Sequence, residues 1–133
     1  MKSRVGFGAM PRGGGELLSM LAAVAVLVAL FAGGSQPQAA GLIPAPWDKL
    51  AHAAVFGVLT LSLGRGFSLS PVWAGVLAAL FGVADELHQS SLPGRVAGVE
   101  DWLADLVGIG LALAVLHWQR RMVRREGRKV RIG

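Results

Sequence analysis

A chain of 133 residues has room for one domain or one helix bundle. It is 53% hydrophobic, with a mean hydropathy of +0.56 and only 16% charged residues, where soluble domains average about 25%. That balance excludes an ordinary soluble globule, and the lack of Cys excludes a disulfide framework or a thiolate metal site. The net charge of +5 could suggest nucleic acid, but its placement argues against that partner. Lys2, Arg4 and Arg12 precede the first apolar run, and Arg120, Arg121, Arg124, Arg125, Arg128, Lys129 and Arg131 follow the last. Flanking clusters of this kind follow the positive-inside rule.

Residues 1–15, with Gly13-Gly14-Gly15, read as a basic, disordered N-terminal segment. Four apolar runs follow, about 17–33, 48–64, 71–89 and 101–119, within a membrane domain spanning 16–119. Each reaches the roughly 17–25 residues of a spanning helix only when its polar end is counted, which puts those ends at headgroup depth. The first run stops at Gly33-Gly34-Ser35, and the stretch 35–47, with Pro37, Pro44 and Pro46, reads as a loop. Pro71 suits the first turn of the third helix, where its missing N–H is no loss. Residues 120–133 form a basic tail drawn to anionic inner-leaflet lipid.

The expected fold is therefore all-α, a four-helix transmembrane bundle with both termini cytoplasmic. Orientation rests on Lys and Arg in short flanks. The N-terminal flank has three and the tail seven, and Arg65 lies in the linker on the same side; Lys49 and Arg95 stand alone in the two opposite loops. An alternative for the first run is a cleaved signal peptide with Ala32-Gly33-Gly34 as a poor cleavage site. Small residues predict the packing: Ala104, Gly108 and Ala112 on the fourth helix, Ala78 and Gly82 on the third, Ala53 and Gly57 on the second.

Every Asp lies at the outer end of one of these helices, in three polar segments. In Asp48-Lys49-Leu50-Ala51-His52 the first and last residues share a helix face, and Asp48 is placed to act as an N-cap. In Asp85-Glu86-Leu87-His88-Gln89, Asp85 and Gln89 share a face. Two acids at a helix C-terminus oppose its dipole and call for a cation: Lys49, Arg95, a protonated His or a bound metal. Pro93-Gly94 predicts a type II turn that throws Arg95 back over the helix ends. In Asp101-Trp102-Leu103-Ala104-Asp105 the first residue reads as a cap, and the deeper Asp105 needs a partner, Arg95 or His52. The spacing predicts no metal site and no cofactor, because no HExxH-type pair lies on a single helix. His117 and Trp118 read as interfacial anchors at the inner end.

These segments together resemble the VanZ-like family of small bacterial membrane proteins, whose pattern is Asp-Lys-x-x-His, Asp-Glu-x-x-Gln, Pro-Gly-Arg and Asp-Trp-x-x-Asp. One departure is that Leu106-Val107 separates Asp105 from Gly108, where the family has a single residue before Gly. The resemblance implies a multi-span protein of the bacterial plasma membrane, and its best-known member is linked to resistance to glycopeptides such as teicoplanin. It does not define an activity.

Three functions compete. The first is recognition of a polar headgroup, cell-wall precursor or glycopeptide-type amphiphile by Asp48, Lys49, His52, Asp85, Glu86, Gln89, Arg95, Asp101 and Asp105, with membrane lipid as a further partner. The second is a membrane enzyme acting on a lipid-linked substrate. His52 would then be general base, Asp85 or Glu86 general acid, and Lys49 or Arg95 the electrophilic stabiliser. The third is an ion-paired clasp in a protein that serves as a structural partner in a membrane complex, and nothing in the sequence excludes an oligomer. Mid-membrane polar residues, which a transporter needs, are missing apart from Asp85 and Asp105, each about a turn deep.

Overall fold

The computed structural model describes residues 13–132, and the described residues form helices with no strand. Most of the N-terminal segment expected to be disordered therefore lies outside the described residues, and its last two, Gly14 and Gly15, open the first helix. The elements are α1 (Gly14–Val28), a π turn (Ala29–Gly33), a 3₁₀ turn (Pro37–Ala39), α2 (Trp47–Gly66), α3 (Pro71–Ser90) and α4 (Val99–Ile132). The apolar run of α1 thus continues to Gly33 through one wider turn, which the sequence does not announce. Ser70 starts α3, accepting a hydrogen bond from the Trp73 N–H at 3.4 Å with Pro71 in the first turn.

Among the described residues, one helix by length and composition, Gly14–Gly33, is long and apolar enough to cross a membrane. The other three apolar runs each carry polar residues at one end. Their outward faces are nonetheless apolar: Val72, Val76, Leu80, Val83 and Leu87 are exposed along α3, and Leu103, Val107 and Leu111 along α4.

The most extensive interface joins α2 and α4, which run parallel and in register. Its centre is a contact between backbones. A Cβ at Gly108 would collide with the Ala53 carbonyl, and one at Gly57 would stand 3.3 Å from the Gly108 oxygen. Further along, Gly64 faces Leu116, and Arg65 Nε donates to Gln119 Oε1 at 3.4 Å. The small-residue stripes predicted on α2 and α4 thus meet at this seam, while Gly82 of the α3 stripe faces Trp102 and Asp105. Phe56, Leu59, Ala74, Ala78 and Ile109 fill the core around it. Thr60, also buried, returns its hydroxyl to the Phe56 carbonyl within α2 at 2.7 Å.

The first helix is peripheral. It lies against α2, where Gly66 allows close approach to Met20, and Ala23 is its one buried residue. The last helix runs past the bundle without a break: Arg120 Nη2 donates to the Leu69 carbonyl at 2.6 Å, and residues 121–128 are exposed beyond it.

The seam yields a stability prediction. Gly108→Ala should cost at least about 3 kcal/mol, because the clash is with rigid backbone and overpacking of flexible sites already costs about 1–3. Gly110→Ala, with nothing near its added methyl, should be neutral or mildly stabilising. Thermal unfolding of the two variants in the same detergent compares them directly.

Candidate functional site

The three polar segments meet at one end of the bundle. They come from the start of α2, the end of α3 and the start of α4, and the turn that ends α1 joins them. The parallel register of α2 and α4 makes two rungs. Lys49 Nζ pairs with Asp101 Oδ1 and, at 3.2 Å, with Asp48 Oδ2. One turn deeper, His52 Nδ1 lies 2.8 Å from Asp105 Oδ1. The Asp105 side chain is completely buried and that of His52 is 18% exposed. Of the two partners expected for Asp105, His52 is the one present.

Two expected caps do a different job. The N-cap of α2 is Pro46 and the helix begins at Trp47, so Asp48 lies inside the first turn and accepts from the Lys49 N–H at 2.9 Å. Likewise α4 begins at Val99, and Asp101 is a first-turn acid committed to Lys49. Both carboxylates still sit where a helix dipole favours negative charge. Spacing alone placed the caps two to three residues late, because the helices start before their first Asp.

On α3, Gln89 Nε2 donates to Asp85 Oδ2 at 2.8 Å, as their shared face predicts. Glu86 Oε2 accepts from the Gly98 N–H at 2.9 Å, tying the end of α3 to the loop before α4. The turn holds as expected: Gly94 has φ of +76°, and the Arg95 N–H bonds back to the Leu92 carbonyl. Arg95, however, reaches the Gly34 carbonyl with Nη2 at 2.7 Å and pairs with no acid. Next to that contact, Ser35 Oγ lies 3.2 Å from His88 Nε2, and the His88 ring stands on Phe31 at 5.5 Å between centroids. Gly34 and Ser35 are site residues that the sequence reading leaves in a loop. The Gly-Gly-Ser break was the available signal, since it frees a carbonyl at the helix end.

The two cations are thus committed elsewhere, and neither answers the two acids that end α3. Four buried atoms, Asp85 Oδ1, Glu86 Oε1, His88 Nδ1 and Asp105 Oδ2, have no hydrogen-bond partner among the described residues. Such atoms are uncommon and costly.

A half-open cavity of about 740 Å³ lies beside the cluster. One wall is apolar, from Ala29, Leu30, Leu42, Ile43 and Val55; the other carries Asp48, His52, Asp85, Gln89, Arg95 and Asp101. A smaller cavity of about 310 Å³ on the far side of α3 is lined by Glu86, Gly98 and Trp102 among others. Lys49 and Asp105 line neither cavity.

The two rungs differ in burial, and stability should follow. His52→Ala leaves Asp105 buried without its ring partner and should cost about 3 kcal/mol. Lys49→Ala, at a site one-third exposed, should shift the melting temperature little. Melting curves of the two variants check the order.

No curated protein and no solved structure gives a significant match to the chain. The family described as VanZ/LLP1 does match, over residues 15–120, which takes in every residue of the site from Gly34 to Asp105. The chain belongs to the VanZ/LLP1 family.

Proposed function

We propose that this is a four-span protein of the bacterial plasma membrane whose polar end recognises the headgroup of an amphiphile at the outer leaflet. One observation carries the reading: the cavity is apolar along the π turn and the following loop, and its charged residues come from α2, α3, α4 and the loop that carries Arg95. Its volume falls within the roughly 300–1,000 Å³ of small-ligand sites. A lipid-linked wall precursor or a glycopeptide-type amphiphile has the matching halves. Arg95, facing the cavity and held by one carbonyl, is the group for phosphate or carboxylate. Asp85, Gln89, Asp48 and Asp101 suit amide and amine groups, while Lys49 belongs to the clasp.

The membrane placement draws support from the exposed apolar faces of α3 and α4 and from the four Trp. Trp47 and Trp102 mark the polar end, Trp73 and Trp118 the other. Along α4, Trp102 and Trp118 are ~24 Å apart, near the thickness of the hydrocarbon core. The charge asymmetry puts the polar end outside. In this reading the first span is retained, because the π turn that ends it lines the cavity and leads directly into Gly34, whose carbonyl holds Arg95.

A second reading, a membrane enzyme, is favoured by the His52–Asp105 pair, an imidazole at the cavity oriented by a buried carboxylate. His52→Asn, which keeps a donor toward Asp105, separates the two: turnover of a lipid-linked substrate lost with binding retained makes the protein an enzyme.

Native mass spectrometry should detect wild-type binding to at least one of three probes: a lipid-linked disaccharide-pentapeptide, teicoplanin or phosphatidylglycerol. Arg95→Ala should weaken it ~10-fold or more, the usual worth of a charged hydrogen bond. Equal binding of all three by both proteins would end the headgroup reading. For topology, the Cys-free chain allows single-site labelling. A membrane-impermeant maleimide applied to intact cells should modify Val96→Cys and spare Gly127→Cys.

A further inference from the structure

The carboxylates at the polar end outnumber the positive charges available to them. Lys49 answers Asp48 and Asp101, and Arg95 answers a carbonyl. Asp85, Glu86 and Asp105 are left with imidazoles as cationic neighbours, His52 near all three and His88 near Asp85, deep enough that uncompensated charge is expensive. From three different helices, a ring nitrogen of His52 and one carboxylate oxygen each of Glu86 and Asp105 lie within 4.8 Å of one another. Among the described residues, Glu86 Oε1 and Asp105 Oδ2 have no hydrogen-bond partner. Independently of that trio, Asp85 is fully buried, lines the same cavity as His52, and leaves Oδ1 unpartnered.

We infer that His52, Glu86 and Asp105 form a binding site for a divalent first-row cation, Zn²⁺ or Mn²⁺, with Asp85 beside it as a third acidic group. One imidazole and hard oxygens suit these ions, and the absence of Cys removes softer alternatives. Two ligands about 2.1 Å from a tetrahedral ion stand ~3.4 Å apart, so side-chain shifts of about an ångström close the site. Three protein ligands leave a coordination position open, the arrangement of catalytic rather than structural sites. The ligand set escapes single-helix motif searches because each helix contributes one member.

The test uses the full chain in detergent, stripped with EDTA, desalted, and titrated with ZnCl₂ or MnCl₂ alone. Native mass spectrometry should show one ion per chain, and Trp-detected melting should rise by several degrees. Glu86→Gln should weaken uptake at least ~10-fold, and Asp105→Asn likewise if it folds. Glu100→Gln, at an exposed position outside the site, should bind as wild type does. Glu86 is half-buried, so its variant decides the matter even if Asp105→Asn does not fold. A wild type that takes up no ion and melts alike with and without metal overturns the inference and leaves shared protons to satisfy the acids. Uptake unchanged in a folded Glu86→Gln overturns it too. The titration contains no lipid, so it stands or falls apart from the headgroup reading: bound lipid without metal sinks the cation site alone, and metal without lipid sinks the other.

Discussion

Everything at the polar end depends on how closely the backbones of α2 and α4 approach at Ala53 and Gly108. His52 is the residue before Ala53, and Asp105 is one turn before Gly108. Once those backbones touch, the 2.8 Å distance between ring and carboxylate follows from helix geometry. A turn further out, Lys49 and Asp101 meet on the same rails. If the bundle lies in a membrane, as proposed, apolar side chains gain little by leaving lipid for one another, and such close packing is what holds helices in register. The seam therefore does for the site what a rigid scaffold does for a catalytic loop in water.

Acids gathered at that end work against stability. A buried pair is easily worth less than the apolar residues that could replace it, while a buried carboxylate stripped of its partner is worse. Here Asp105 has one partner for two oxygens, Asp85 has the Gln89 amide, and Glu86 has a single backbone N–H. The natural cations nearby are spent on other contacts. An arrangement whose purpose was only to lock helix ends would be better served by turning Arg95 onto the acids. Its commitment to the Gly34 carbonyl instead ties α1 to the cluster and keeps a guanidinium on the cavity wall.

Much of this was legible in the sequence. Small residues every fourth position marked the seam, the alternation of apolar runs and polar ends predicted which ends converge, and Pro93-Gly94 specified its own turn. Local signals were less reliable at the helix starts: Asp48 and Asp101 look like caps by residue type, yet tertiary pairing with Lys49 claims them. Arg95 was not assigned its partner from sequence because that partner is the Gly34 backbone carbonyl just past the π turn; the Gly-Gly-Ser break marks the helix end but not which side chain reaches it. The acids that end α3 carried a visible demand for a cation, but its answer depends on which of several candidates is spatially free. Only the assembled bundle shows that neither Lys49 nor Arg95 is.

The fourth helix is one unbroken rod from inside the acidic end to well beyond the opposite end of the bundle. Past Arg120 it extends ~18 Å, and Arg121, Arg124, Arg125 and Arg128 fall on one side of it at spacings of three and four. Such a rod has no joint. Asp101 and Asp105 sit at one end of a lever whose other end is a row of guanidinium groups, pivoted at Gly108. A tilt of about 10° there would carry the far tip through ~6 Å. Whatever moves the acids must therefore move the arginines, and whatever anchors the arginines stiffens the acids.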